Sequence, residues 1–306
     1  MVHLLHSMYK AAMRAIVAGT VVYDGFKDRA AWLKTSSEVE GKIPGVSVMG
    51  MSREGQQGQF LNINETQRLF DGLERYVKGG RICLQNRNAA VAPAMSNIER
   101  AAVSWIHTVD PFVGSAAPPG AQPLPRFIQS DSKILSIEGV IEGFKLRCNR
   151  TLDPSGKVRQ IQSPLCMGCS TDLRARTSAC KRTVRRGLVN LNKPLYLVAN
   201  TLEALKLPVD LSMHVALRIC EADQLPLAEQ LIITIALSLV HQCGFNATES
   251  GGTGSSTVNP TSASLRQNIE LIMAHSNTME QNIRAMLADL AQRRKLLVDI
   301  DRLTDH

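Results

Sequence analysis

The sequence contains no apolar run long enough to cross a membrane as a helix. Such a helix needs about 18 uninterrupted apolar residues or more, and the longest candidate, LIITIALSLV at 231–240, has the length of a strand. Near the amino terminus, His3, His6, Lys10 and Arg14 interrupt the apolar residues, so this segment lacks the uniform core of a secretory signal peptide. We therefore expect neither a membrane-spanning helix nor a secretion signal.

Catalytic motifs are also missing. The chain has no H-E-x-x-H, no phosphate-binding G-x-x-x-x-G-K-[ST] and no nucleophile elbow. The sequence therefore predicts a protein that is not an enzyme. We expect the dispersed histidines to be surface or packing residues: His3, His6, His107, His214, His241, His275 and His306.

The cysteines do not follow the pattern of a secreted disulfide framework, because there are seven of them at irregular spacing. We therefore expect a reducing compartment. Four of them, Cys148, Cys166, Cys169 and Cys180, are candidate zinc ligands, with Cys166-Met-Gly-Cys169 as the tight knuckle that zinc sites use. Since the second C-x-x-C of a paired zinc motif is missing, small and partly buried thiols are the alternative, and we expect no cofactor.

The sequence does have an apolar content of 44% over 306 residues and a formal net charge of +8 at pH 7, with a pI near 9.3. The apolar content is enough to bury a sizeable core. The positive charge favours an anionic partner, either nucleic acid or a membrane surface.

Much of the positive charge lies in one stretch that contains no acid. No acidic residue occurs between Asp172 and Glu203, so the basic side chains there have no neutralising neighbours along the chain. Tyr196 is the only aromatic residue in that stretch, which predicts contact with the phosphate backbone rather than stacking on bases. A solvated basic loop is the alternative. The candidate nucleic-acid-binding residues are Arg174, Arg176, Lys181, Arg182, Arg185, Arg186 and Lys193.

Helix-start signals occur twice before residue 110. Asn64 with Gln67 predicts the start of a helix that stops at Gly79-Gly80, followed by a short strand, RICLQ. Ser96 with Glu99 forms a capping-box pattern at the start of another helix.

From Lys133 the pattern changes to strand-length segments rich in β-branched residues: KILSIEGVIEGFKLRC, PLYLVANTLEALKLP, LSMHVALRI and EQLIITIALSLVHQC. In the third segment, Met213, Val215, Leu217 and Ile219 alternate with other residues, which is typical of a half-buried strand. Part of the second, LVANTLEALKL, fits a helix equally. Because the segments are closely spaced, the sequence predicts an antiparallel β-sandwich.

The carboxyl-terminal region predicts a tethered coiled coil. Residues 246–263 form a Gly/Ser/Thr-rich linker. Beyond it, apolar residues recur at alternating steps of four and three over five heptads. We expect this helix to pair with copies of itself, with Ser276 and Arg293 weakening the pairing or fixing its register; a single amphipathic helix packed on its own core is the alternative. The seam residues are Leu265, Ile269, Ile272, Met279, Ile283, Met286, Leu290, Leu297 and Ile300.

Four short segments follow one another in an order that a known protein family shares. They are ILSIEGVIEGFKL, CSTDLRA, RRGLVNLNKPLYLV and AEQLIITIALSLVHQCG. Between about residues 60 and 245 this order resembles the thirty-kilodalton (30K) superfamily of plant-virus movement proteins. The second segment is similar to the family's aspartate motif, although Ser170 stands where the family prefers Leu. The resemblance implies that Asp172, Gly187 and Gly244 are structural motif residues.

The resemblance also implies a function and partners. Such a protein binds single-stranded RNA or DNA without sequence preference, self-associates and carries a viral genome through plasmodesmata. Its expected partners are host plasmodesmal or membrane components and viral capsid or nucleocapsid protein. Its expected location is the cytoplasm and plasmodesmata of the host cell, with peripheral association to membranes.

Together, these patterns predict an α+β protein in four parts. They are a helical extension at 1–60, a movement-protein-like core with a jelly-roll-like antiparallel β-sandwich at 61–245, the flexible linker at 246–263 and the coiled-coil helix at 264–304. The predicted function is that of a viral cell-to-cell movement protein. Two alternatives stay open, namely a viral nucleocapsid or matrix protein and a zinc-binding regulatory or silencing-suppressor protein.

Overall fold

A computed structural model describes residues 4–5, 7–27, 43–86, 95–110, 124–176, 194–247, 266, 269–270 and 278–304. Its strands are β1 (Gly45–Arg53), β2 (Cys166–Ser170) and β3 (Val209–Arg218). Its main helices are α1 (Lys10–Ala18), α2 (Val21–Lys27), α3 (Ile63–Asn86), α4 (Asn97–Val109), α5 (Asp131–Arg147), α6 (Pro194–Ala204), α7 (Leu225–Ile235) and α8 (Thr278–Thr304).

The three strands form one antiparallel sheet with β1 in the middle and β2 and β3 at its edges. Met49 of β1 pairs with Cys166 on one side and Met213 on the other. Every residue of β1 except Arg53 is buried, which requires cover on both faces of the sheet. A strand covered on both faces needs no alternation of apolar and polar residues, and the sequence GVSVMGMSR shows none.

Helices cover the two faces of the sheet and form two cores. On one face, α3, α4, α5 and α6 pack over Met49 and Met51 of β1. On the other, α1 and α7 pack over Val46 and Val48. The described part of the chain is therefore an α+β protein in which a small sheet lies between two helical layers. The predicted jelly-roll-like β-sandwich is wrong.

Residues 131–147 form helix α5, where the sequence predicted a strand. Ile134, Ile137, Ile141 and Phe144 are buried and follow one another at steps of three and four, so they lie on one side of a helix. The ring of Phe144 stacks on that of Phe60, with centroids 6.3 Å apart. Burial of this face overrides the strand preference of the β-branched residues.

The second and fourth of the segments predicted to be strands also form helices. PLYLVANTLEA forms α6, which is the helical alternative for that segment. LIITI belongs to α7, whose proline lies in its first turn, where the missing N–H costs nothing. Of the four segments predicted to be strands, LSMHVALRI alone is a strand, and it forms most of β3.

Helix α3 starts and ends elsewhere than predicted. Its start is capped by Asn62, whose Oδ1 accepts a hydrogen bond from the N–H of Glu65 at 2.9 Å. Gly79-Gly80 does not end the helix, which runs on through RICLQ to Asn86. A Cβ on Gly79 would lie 2.6 Å from the carbonyl oxygen of Ala102, so this glycine allows α4 to approach closely.

The capping box at Ser96 is confirmed. The Ser96 hydroxyl accepts from the N–H of Glu99, and the Glu99 carboxylate accepts from the N–H of Ser96 at 2.7 Å. This reciprocal pair satisfies two N–H groups at the start of α4.

Helix α8 extends over 27 residues and is largely exposed. Near its start, Asn282 Nδ2 donates a hydrogen bond to the carbonyl oxygen of Met8 at 2.7 Å. Among the helices that the structure describes, none combines the length and apolar character needed to span a membrane. The predicted linker lies outside the described residues except for 246–247.

Candidate nucleic-acid interface

Two of the seven predicted basic residues, Arg174 and Arg176, belong to the described part of the chain, and the other five lie outside it. Both follow β2 in a short helical turn. Asp172 holds this turn, because its Oδ1 accepts a hydrogen bond from the N–H of Ala175 at 2.7 Å. Asp172 is thus a capping residue of a turn, as a structural motif residue would be. Gly187 lies outside the described residues.

Arg176 is fixed to the end of the sheet, whereas Arg174 is exposed. The Nη1 group of Arg176 donates to the carbonyl oxygen of Cys169 at 2.7 Å. The guanidinium lies directly against Gly168, where an added Cβ would be 1.9 Å from Nη2. Arg176 therefore has a structural contact in addition to any ligand contact, and any larger residue at position 168 would displace it.

Arg218 is a further basic residue at this end of the sheet, and sequence reasoning missed it. Gly45 pairs with Ser170 on one side and with Arg218 on the other. At the usual spacing between strands, the backbones of β2 and β3 are therefore about 10 Å apart here. Arginine side chains are long enough for Arg176 and Arg218 to contact one ligand across that distance.

The guanidinium of Arg218 has no described carboxylate as a partner. It is half-buried, and its Nε makes no hydrogen bond with the described residues. Burial lowers the pKa of Arg218 below its ordinary value. The Nε of Arg176 is likewise buried without a hydrogen bond to a described residue. Both side chains are partly exposed, so the charges of two guanidinium groups at the start of an acid-free basic segment can attract an anion.

Three of the four predicted zinc ligands are described, and they do not come together. Cys166 belongs to the core on one face of the sheet and Cys169 packs on the other face, because residues three apart in a strand point in opposite directions. Cys148 contacts the carbonyl oxygen of Ile63, and Cys180 lies outside the described residues. The described residues contain no group of three or more potential metal ligands, so Cys148, Cys166 and Cys169 do not share one site.

Cys169 instead forms a pair with Glu229 of α7. Burial, together with the charge and hydrogen bond of Glu229, raises the pKa of the Cys169 thiol to about 11. A thiol in this state is a poor nucleophile at neutral pH. The pair therefore joins β2 to α7 and offers no reactive cysteine.

A groove of about 530 Å³ lies between α3 and α5, and its charges balance. Lys145 lies 2.9 Å from both Glu74 and Glu142. Arg81 pairs with Glu138. Because its acids and bases are already matched, this groove has no excess positive charge with which to attract a polyanion.

The predicted seam residues of the carboxyl-terminal helix are described in part. Ile283 is half-buried, and four others are exposed on α8: Met286, Leu290, Leu297 and Ile300. Ile269 is also exposed. Leu265 and Ile272 lie outside the described residues, and for Met279 the backbone alone is described, as part of α8.

Two other residues that the sequence singled out are structural. Tyr196 is buried in the core, so it does not stack on a base. Gly244 follows α7 in a turn, where an added Cβ would be 2.0 Å from the carbonyl oxygen of Ser238. The resemblance implied a strand before Gly244, but the LIITI part of that segment belongs to helix α7.

Comparison of the chain with known protein families, with curated proteins and with solved structures finds no match. The fold and the interface thus define an α+β protein with a basic end to its sheet and an exposed carboxyl-terminal helix.

Proposed function

We propose that this protein binds single-stranded nucleic acid through its phosphates and self-associates through its carboxyl-terminal helix. The observation that carries the proposal is the acid-free segment between Asp172 and Glu203, with its seven basic residues. Two features support this proposal. The segment begins beside Arg218, whose guanidinium pairs with no described carboxylate. Tyr196, the aromatic residue within the segment, is buried and cannot stack on a base. The role requires no catalytic group.

Phosphate contacts of this kind release counterions from the nucleic acid. The affinity for a single strand then falls with salt, with a slope of about 0.7 in log K per log salt for each phosphate neutralised. Such contacts carry little sequence information. We therefore expect similar affinities for single-stranded RNA and DNA of different sequences.

Transport of a viral genome between plant cells is the narrower proposal, with plasmodesmal, membrane and capsid components as further partners. It depends on short sequence motifs, because three of the four segments that carry the resemblance lie wholly or partly in helices, namely α5, α6 and α7. Spread of a fluorescent fusion from single leaf cells into their neighbours tests it. A fusion confined to the first cell, or packaged inside purified virus particles, contradicts it.

The binding proposal is tested by neutralising the segment and measuring filter binding to a single-stranded RNA at several salt concentrations. Six basic residues are changed to Gln, and Arg176 is kept because it supports the sheet: Arg174, Lys181, Arg182, Arg185, Arg186 and Lys193. The control carries six such changes at exposed residues elsewhere, so that the net charge is equal: Lys10, Arg14, Lys78, Lys133, Lys157 and Lys206.

We expect the first variant to bind at least tenfold more weakly and with a smaller salt slope, because it has lost phosphate contacts. The control variant should bind within a few-fold of the parent. Equal losses in the two variants would mean that net charge alone attracts the RNA, and the assigned interface would then be wrong.

A further inference from the structure

Helix α8 leaves an apolar stripe uncovered along most of its length. Leu287, Leu290 and Leu297 are 56%, 45% and 61% exposed. The contact of Asn282 with Met8 lies near the start of the helix, and Ile283 beside it is half-buried. The stripe is therefore open from Met286 onward, where a second helix can reach it.

The heptad pattern sets the seam of this stripe. The first core position of the heptad, a, is occupied by Ile283, Leu290 and Leu297. The second core position, d, is occupied by Met286, Arg293 and Ile300. The flanking positions are e, just after d, and g, just before a. In a paired coiled coil, residues at a and d face the partner and residues at e and g lie beside the seam.

One core position is occupied by a charge that has its own partner. Arg293 Nε lies 2.8 Å from Asp289 Oδ2, one turn earlier on the same helix and at position g. The seam therefore contains a neutralised ion pair rather than a bare charge. A polar residue at one core position fixes the register of a coiled coil and costs stability.

The charges beside the seam distinguish the two orientations of a helix pair. In a parallel pair in register, position g of one chain lies beside position e of the next heptad of the other, which brings Asp289 beside Arg294 of the second copy. In the antiparallel pair centred on α8, Asp289 would lie beside Leu296 and Arg294 beside Leu287. Opposite charges meet in the parallel arrangement alone.

We propose that α8 binds α8 of a second copy of this chain in parallel and in register, with Asp289, Arg293 and Arg294 setting the orientation. This inference rests on the self-association in the proposed function. A parallel pair places the two folded bodies at the same end of the coiled coil. Their basic segments then bind one nucleic-acid strand together, with the gain in avidity that linked sites have.

Disulfide cross-linking of the full chain tests the orientation. Leu297→Cys places a thiol at position a, where the same residue of both chains meets in a parallel pair. Lys295→Cys is the matched control, because position f faces away from the seam. After mild oxidation, peptide mass mapping identifies the linked residues against the background of the native cysteines.

In most chains of the first variant, we expect a disulfide that joins the two introduced thiols at position 297. Little linkage is expected at position 295 in the control. If sedimentation shows a monomer at micromolar concentration, both the self-association and the inference are wrong. If it shows a dimer without the disulfide at position 297, the parallel orientation alone is wrong.

Charge exchange gives a second test. Asp289→Arg and Arg294→Asp each place like charges side by side in a parallel homodimer, whereas a mixture of the two variants restores both attractive pairs. We expect heterodimers well above the statistical half when the two purified variants are mixed at low salt. A statistical mixture would overturn the parallel register.

Discussion

The thiol of Cys169 on β2 donates a hydrogen bond to Glu229 Oε2 on α7 at 3.2 Å, and the backbone N–H of Cys169 donates to Oε1 of the same carboxylate at 3.1 Å. Both side chains are at least half-buried. One carboxylate thus ties a strand of the sheet to the helix that covers it.

This pair predicts how Cys169 reacts with alkylating reagents. Burial and Glu229 raise the pKa of the Cys169 thiol to about 11. In Glu229→Gln the charge is removed, so the pKa should fall and the thiolate fraction at pH 8.5 should rise about tenfold for each unit of the fall. Timed alkylation with peptide mass mapping measures the rate.

Cys220 is the internal control for that measurement. Burial and the charge of Glu221 raise the pKa of the Cys220 thiol. Glu229 does not contribute to that shift. Its rate should stay the same in the variant. An unchanged rate at Cys169, or equal acceleration at both cysteines, would contradict the assignment.

The stability of the fold should fall in acid partly through Glu65. Burial alone would raise the pKa of Glu65, but hydrogen bonds from Arg159 and Asn62 and the charges of Arg159 and Arg53 outweigh it and lower the pKa. A carboxyl with a lowered pKa in the folded state stabilises the protein above its unfolded pKa, and this stability is lost as the pH falls through the folded pKa.

We therefore expect Glu65→Gln to cost about 2 kcal/mol of unfolding free energy at pH 7 and progressively less as the pH falls below about 4.3. Urea unfolding at pH 7, 5, 4 and 3 measures this. Glu54→Gln, in the exposed turn after β1, is the control. A cost for Glu65→Gln that does not change with pH would rule out the ion-pair explanation.

Gly79 should not tolerate alanine, although alanine favours helices by about 1 kcal/mol. Its Cβ would lie 2.6 Å from the Ala102 carbonyl oxygen of α4, so the two helices would have to separate. We expect Gly79→Ala to lower the unfolding free energy by about 1–3 kcal/mol, measured by urea unfolding.

Gly139 of α5 provides the matched substitution. Its Cβ would meet the Val240 carbonyl oxygen at 3.5 Å, which is an ordinary contact. Gly139→Ala should therefore keep or raise stability, by up to about 1 kcal/mol. The prediction fails if the two variants have the same stability.

Arg218 should contribute to nucleic-acid binding although it lies outside the basic segment in the sequence. Arg218→Gln removes one phosphate contact, so the salt slope for a single strand should fall by about 0.7. Arg68→Gln, an exposed arginine on α3, is the control. Filter binding across salt concentrations distinguishes them, and equal slopes for the two variants would remove Arg218 from the interface.

Local signals predicted the parts of the fold that depend on local contacts. The capping box at Ser96 and Glu99 is made by residues three apart, and LSMHVALRI does form a strand. The predicted single apolar face does not hold along it, because a register shift beside Val46 places Met213 in one core and Leu217 in the other. For α5 and α7, isoleucine-rich sequence favoured strands, and the spacing of Ile134, Ile137 and Ile141 that predicts a helix was outweighed. Tertiary burial, rather than propensity, decides such segments.

The basic segment of the candidate site could be predicted because composition alone defines it, whereas the neighbours that the fold brings to it could not. The acid-free segment is visible in the sequence, but Arg218 joins it through the pairing of β3 with Gly45. Glu229 contacts Cys169 from 60 positions away, which no spacing rule indicates. The C-x-x-C pattern did not indicate that β2 is a strand, in which the two thiols of Cys166 and Cys169 point to opposite faces.

The position of β1 in the middle of the sheet has a consequence for biosynthesis. Arg53 donates to the carbonyl oxygen of Pro208, 155 positions further along the chain. At a ribosomal rate of about 5–20 residues per second, β1 waits roughly 8–30 s for β3 to be made. Both of its backbone edges are unprotected against other nascent chains before β2 is made, and the edge that pairs with β3 is unprotected throughout that interval. Yield in a cell should therefore depend on chaperones that hold the nascent amino-terminal third until the last strand arrives.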